Sequence, residues 1–203
     1  MNNFYADTHC HIYKEYYDNV DLVIKNATKC GIKYLINAGC DQLSNEEVLN
    51  IANNYPDVYC TLGIHPENVE NYDELDIEFI KNNLNQKKVV AIGEIGLDYH
   101  YSKDNKEAQI KLFESQLKIA ENYHLPVVIH SREATEDTIK SLKKYKVTGV
   151  IHSFSGSLET ARIYENMGFI FGINGVITFK NANLKEIYKN IDISHIILET
   201  DSP

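Results

Sequence analysis

Two histidines stand one residue apart in the run ADTHCHIY, at positions 9 and 11. Side chains alternate along a strand, so His9 and His11 leave one face while Cys10 leaves the other. Neutral imidazoles together with carboxylates suit a borderline divalent ion. Alone, the pair is equally compatible with two hydrogen-bonded core histidines. Other short apolar runs also end in chemistry-bearing residues: Gly63-Ile64-His65-Pro66, Gly93-Glu94, His130-Ser131-Arg132, His152-Ser153-Phe154 and Glu199-Thr200-Asp201. If these runs end at one level of one fold, a metal centre is the better account.

The apolar runs read as strands at Phe4–His9, Tyr34–Ala38, Val58–Ile64, Val89–Ile92, Val127–His130, Val147–His152, Phe169–Ile173 and Ile196–Thr200. Most are rich in β-branched residues and do not alternate strictly, as in parallel strands buried on both faces. Helical patterns lie between them. Val20, Val23, Ile24 and Ala27 share a face before Gly31, and Ile110, Phe113, Leu117 and Ala120 share another. Further helices fit 44–54, 73–85, 133–145, 157–167 and 181–189. Repeated β-α units imply parallel strands with right-handed crossovers, and eight units predict an α/β fold of the (β/α)₈ TIM-barrel type. A doubly wound sheet is the alternative, but no GxGxxG follows the first strand. Barrel active sites sit at the C-terminal strand ends, and six of the eight strands deliver His, Glu or Asp there.

No linker or low-complexity stretch interrupts residues 1–203, which predicts one domain. The 43% hydrophobic and 24% charged content is that of a globular protein. No run reaches the length of a membrane span and no signal peptide is evident. Cys10, Cys30, Cys40 and Cys60 form no CxxC pair and read as buried, reduced thiols of a cytoplasmic protein. The net charge of −9 argues against a broad electrostatic grip on nucleic acid, although bound ions can make a phosphate welcome locally.

The motifs DTHCH, GIHP, AIGEIGLDYH, LPVVIHSREA, HSFSGS and ETDSP, in that order, resemble those of the TatD family of metal-dependent deoxyribonucleases. The resemblance implies a two-metal barrel hydrolase acting on DNA phosphodiesters. It implies that His9, His11 and Asp201 ligate one ion, that His130 and His152 ligate a second, and that Glu94 bridges them. Related amidohydrolases often bridge with a carbamylated lysine, whereas strand four here carries Glu94. The ions would be Mg²⁺, Mn²⁺ or Zn²⁺. Asp201 is then the general base. His65 and Arg132 are left for phosphate, the arginine fork being suited to it. The expected partner is single-stranded DNA or DNA ends, met by a monomer.

Bland readings attach to other residues. Asp7 points the same way as His9 from deeper in the barrel, which suits a supporting role. Asp98 orients or caps the loop after Glu94. Phe154 either stacks on a base or packs. His100, His124 and His195 fall outside the expected cluster, and Tyr16, Tyr17, Tyr99 and Tyr101 line or cover the cleft. Two competing functions remain: a metallohydrolase of a cyclic amide or small phosphate ester, and a catalytically impaired or metal-stabilised barrel. Relatives of the resembled family continue past ETDSP. A barrel lacking its final helix is therefore expected, with Ile196 and Leu198, or Ile197 and Glu199 in the opposite parity, meeting water and Asp201 on a loose end.

Overall fold

The computed structural model describes residues 4–101, 103–180 and 183–203. Among the described residues eight strands alternate with seven α-helices: β1 Tyr5–Cys10, α1 Val20–Lys29, β2 Ile32–Ala38, α2 Gln42–Asn54, β3 Val58–Leu62, α3 Glu74–Asn83, β4 Val89–Asp98, α4 Lys106–Tyr123, β5 Val127–Arg132, α5 Thr135–Leu142, β6 Gly149–Ile151, α6 Leu158–Asn166, β7 Phe169–Ile173, α7 Leu184–Tyr188 and β8 Ile196–Leu198. The helix expected at 181–189 begins on residues 181 and 182, which lie outside the described residues. No helix among the described residues is long and apolar enough to cross a membrane.

Local chemistry sets the helix limits. Asn19 caps α1 by accepting from Leu22 N–H. Asp41 caps α2 reciprocally with Ser44, and Asp73 caps α3 reciprocally with Asp76. These caps satisfy N–H groups that have no partner within the helix. Gly31 ends α1 at φ 91°, a conformation that costs glycine little.

All seven strand pairs are parallel and follow chain order. The ring is completed between β8 and β1 by individual bonds. Asp201 N–H donates to His9 O (2.9 Å), and His11 N–H donates to Ser202 O (2.7 Å). Thr8 Oγ1 donates to Leu198 O at 2.9 Å. The segment bearing Asp201 is thus stitched to β1 and is not the loose end expected. Asp7 supplies the rest of that anchor, accepting from Thr200 N–H (2.9 Å) and Thr200 Oγ1 (2.6 Å). Leu198 faces out and is 53% exposed, while Glu199 turns inward and is buried.

Only β7 keeps both expected limits; β1 is displaced by one residue, β2 starts two residues earlier, β3 ends two earlier and β5 ends two later. β4 runs on to Asp98, because Ile95 and Leu97 are fully buried and keep pairing with β5 after a register irregularity between Ile92 and Ile95. β6 and β8 are shorter than expected, since only Gly149–Ile151 and Ile196–Leu198 pair with their neighbours. The cysteines also differ: Cys10 and Cys60 are buried, but Cys30 is exposed and Cys40 is half-buried at the cleft. No disulfide is formed among the described residues.

Candidate active site

Four buried amide side chains shape the C-terminal mouth of the barrel. Each clasps both the N–H and the C=O of one backbone residue at or just beyond a strand end. Asn37 holds Ile12 (2.7 and 2.7 Å), Asn45 holds Gly63 (3.0 and 2.8 Å), Gln116 holds Ile64 (2.8 and 3.0 Å) and Gln109 holds Asp98 (2.9 and 2.8 Å). A buried backbone group left without a partner is costly. The amides act as substitute strand neighbours where the ladder ends, and so fix the chain next to His11, next to His65 and at Asp98. Gly96 contributes by closeness: a β-carbon there would lie 1.9 Å from His130 O, so only glycine lets β4 approach β5 at that histidine.

The strand ends bring the expected residues together. Glu94, 3% exposed, lies at the centre with its two oxygens facing different histidines. Oε2 is 3.3 Å from His9 Nε2 and 3.5 Å from His11 Nε2. Oε1 is 2.9 Å from His130 Nδ1 and 3.8 Å from both His65 Nε2 and His152 Nε2. Asp201 also divides its oxygens. Oδ1 is 3.7 and 3.6 Å from the Nε2 atoms of His9 and His11, and Oδ2 is 3.5 Å from His152 Nε2. Three overlapping groups have mutual ligand-atom distances within 4.8 Å: His9-His152-Asp201, His9-His11-Glu94 and His65-Glu94-His130.

This donor set fits cations. His9 Nε2 and His11 Nε2 face one another at 3.0 Å, while His11 Nδ1 is 3.0 Å from Ala38 O. A carbonyl can only accept, so Nδ1 carries the proton and Nε2 of neutral His11 presents a lone pair. A proton or metal ion must then lie where the nitrogens and carboxylates converge. Burial pushes the Glu94 carboxyl up, but the imidazoles of His152, His9 and His65 and the His130 bond hold it well below the usual range. Burial likewise opposes ionisation of Asp201, and His11 and His152 keep it depressed. Burial lowers His65 to about 3, so that ring is a neutral donor at ordinary pH.

Two carboxylates take on more than the sequence assigns them. Asp98 accepts from His100 N–H at 2.8 Å, the capping role expected, but its Oδ2 also stands 2.9 Å from His130 Nε2. Glu199, buried under β6, accepts from Ser153 N–H (2.6 Å) and lies 3.1 Å from His152 Nδ1. The buried alternation of Ile95 and Leu97 is the signal that would have carried β4 through to Asp98. Nothing in the sequence marks Glu199 apart from its place two residues before Asp201. His65, expected at the phosphate, sits inside the histidine group, its Nε2 3.8 Å from Glu94 Oε1. Arg132 is exposed at the rim, its guanidinium 5.3 Å above the Tyr101 ring.

The remaining residues take plainer places. Phe154 is 5% exposed and packs on Phe171 at 4.7 Å between ring centroids, with Tyr164 and Tyr188 at its edges. It is a core residue and not an open stacking platform. His100 pairs with Glu133, His195 pairs with Glu165, and His124 ends α4 in a left-handed turn; none joins the cluster. Tyr16 lines the cleft, Tyr17 packs against the core, and Tyr99 is buried with its hydroxyl on Asp137.

Known proteins share this arrangement of sequence and fold. The profile of a family described as TatD related DNase matches residues 6–203. The chain is 37% identical over 202 residues to YabD of Bacillus subtilis (strain 168), named a metal-dependent hydrolase, across 97% of this chain and 79% of that protein. It is 35% identical to deoxyribonuclease Tat-D of Schizosaccharomyces pombe, across 92% of this chain and 64% of that protein. The crystal structure of YjjV, a TatD homologue from Escherichia coli K12, matches with a TM-score of 0.91 at 32% identity, covering 99% of this chain and 80% of that one. A β-aspartyl dipeptidase from Fervidobacterium islandicum shares the fold alone, at a TM-score of 0.60 and 13% identity over 98% of this chain and 60% of that one.

Proposed function

Because the chain belongs to the TatD family of metal-dependent hydrolases, we propose that it hydrolyses phosphodiester bonds of DNA using two divalent ions. The observation that carries this reading is the division of Glu94, whose two oxygens face separate sets of imidazoles. His9, His11, Asp201 and Glu94 would hold one ion; Glu94, His130 and His152 would hold the other, with His65 beside it. Bound ions supply Lewis acidity and neutralise charge building on the phosphate. Asp201, whose side chain is 36% exposed, reaches the cleft as a carboxylate and takes the proton of the attacking water. Arg132 holds a phosphate oxygen with its fork of donors.

The cleft lining favours a DNA end or single strand over a long duplex. Glu15, Asp41 and Glu67 line it, and Arg132 is its sole lysine or arginine among the described residues. Such a rim repels phosphates beyond those met at the centre. The same rim favours a second reading, a small phosphodiester as substrate.

Labelled single-stranded DNA incubated with the purified protein tests the reading. Cleavage is expected with added Mg²⁺, Mn²⁺ or Zn²⁺, to stop with EDTA, and to return on adding the ion back. Cleavage that survives EDTA and dialysis would contradict it. A kcat/KM far higher for a small diester than for DNA would favour the second reading.

Two substitutions probe the supporting groups. Arg132→Ala is expected to raise KM for DNA about tenfold, ~1.4 kcal/mol, with metal content unchanged. It should also flatten the slope of log affinity against log salt by roughly 0.7 to 1. An unaltered slope would make Arg132 structural. Glu199→Gln removes the carboxylate that orients His152, and partners of this kind contribute about 10–100-fold in metal affinity. Metal titration should show that loss at one of two ions; two unchanged affinities would reduce Glu199 to a packing role.

A further inference from the structure

Arg132 lines the cleft of the histidine cluster from an exposed position, where an unsupported guanidinium would spread over many rotamers. Two carboxylates lie within electrostatic reach of it, and both are occupied elsewhere. Asp98 Oδ2 stands 2.9 Å from His130 Nε2, and Asp98 Oδ1 accepts from His100 N–H. Glu133 Oε1 is 2.7 Å from His100 Nδ1. Among the described residues Arg132 forms no ion pair. Its guanidinium meets Tyr101 instead: Cζ lies 5.3 Å from the ring centroid, and Nη1 is 3.5 Å from the hydroxyl.

The backbone brings these two loops together. Asp98 and Arg132 are register partners across β4 and β5, and Tyr99 N–H donates to Arg132 O at 3.0 Å. Glu133 then takes φ 54°, a left-handed conformation uncommon for a residue with a β-carbon. His100, its partner, meets the Tyr101 ring edge-on with 4.9 Å between centroids. The imidazole thus draws off the acid beside Arg132, and the neighbouring ring takes the guanidinium. Tyr101 itself is 71% exposed. It borders an adjoining hollow with Glu67, Asn105 and Gln109, to one side of the cleft that Arg132 shares with His130, His152 and Asp201.

A carboxylate partner fixes an arginine by engaging its donors, whereas an aromatic face fixes it and leaves those N–H groups free. We propose that Tyr101 is a positioning residue, which orients Arg132 toward a phosphate in the cleft without neutralising it. This rests on the reading of Arg132 as the phosphate-holding group given above. Tyr101 acts through Arg132 and does not itself touch the substrate.

Affinity for inorganic phosphate, measured on the metal-loaded wild type, Tyr101→Leu, Arg132→Ala and the double variant, forms a double-mutant cycle. Arg132→Ala is expected to weaken phosphate binding about tenfold. Tyr101→Leu should weaken it about three- to fivefold when Arg132 is present, and should add nothing to Arg132→Ala. Tyr101→Phe and Tyr101→Trp keep the aromatic face and should stay within about twofold of the wild type. With DNA as substrate, Tyr101→Leu should raise KM by a similar factor and leave kcat and metal content unchanged. An equal loss in both backgrounds would overturn the role, as would unchanged affinity in Tyr101→Leu or in Arg132→Ala. A loss in Tyr101→Phe and Tyr101→Trp as large as that in Tyr101→Leu would also overturn it. If Tyr101→Leu does not fold by circular dichroism, Tyr101→Gln replaces it with the same expectations. Phosphate binding needs no turnover, so the two readings separate. Coupling between Tyr101 and Arg132 without DNA cleavage would keep the positioning role and remove the DNA reading. Cleavage without coupling would do the reverse.

Discussion

Glu94→Gln is expected to lower kcat/KM for DNA by about 10³-fold or more, ~4 kcal/mol of transition-state stabilisation. The size follows from the position of the residue. Glu94 is the carboxylate whose oxygens face both His9 and His11 on one side and His65, His130 and His152 on the other. An amide keeps the shape but loses the negative charge, and its NH₂ end would point a donor at one ion. Two dications at short range would then repel one another with less between them. Metal analysis should accordingly find one ion or fewer per chain, with the circular dichroism spectrum unchanged. Wild-type turnover with two ions bound would sink the bridging role.

Asp201→Asn is the second large effect, expected at about 10²–10⁴-fold in kcat, the usual range for a general acid or base. Three observations support the role: its carboxylate is partly exposed to the cleft, its neighbours His11 and His152 hold it ionised, and its backbone is fixed by His9 O. Because asparagine retains one oxygen for an ion, metal content should fall less than in Glu94→Gln. KM for DNA should change little. A variant whose loss lay in KM alone, or whose kcat fell less than about tenfold, would move the base to another group.

The sequence exposed the parts of this architecture that depend on short-range pattern. Buried parallel strands read as apolar runs, and the spacing of His9 and His11 follows from the two-residue period of a strand. Because each motif ended such a run, the barrel alone was enough to bring His9, His11, Glu94, His130, His152 and Asp201 to one mouth. Contacts that depend on tertiary register were not legible. Asp98 reached His130 because β4 continues through Ile95 and Leu97 after a register irregularity, and the Gly93 and Gly96 pair reads locally as a strand end. Glu199 faces inward or outward according to the parity of β8, which a three-residue strand leaves open. The clasping amides Asn37, Asn45, Gln109 and Gln116 were invisible for a related reason. Three lie on α2 or α4, where Asn or Gln reads as a solvent-facing side chain, and their partners are 11 to 52 residues away. Phe154 was open between stacking and packing because a residue just past a strand can point either way, and the ring contacts with Phe171 decide it.

Anomalous scattering from crystals grown with Mn²⁺ tests the central claim, a pair of ions sharing Glu94, most directly. Two peaks roughly 3.5–4 Å apart are expected, one beside His9, His11 and Asp201 and one beside His130 and His152, with one Glu94 oxygen on each. A single peak, or two peaks with Glu94 bound to just one of them, would contradict it.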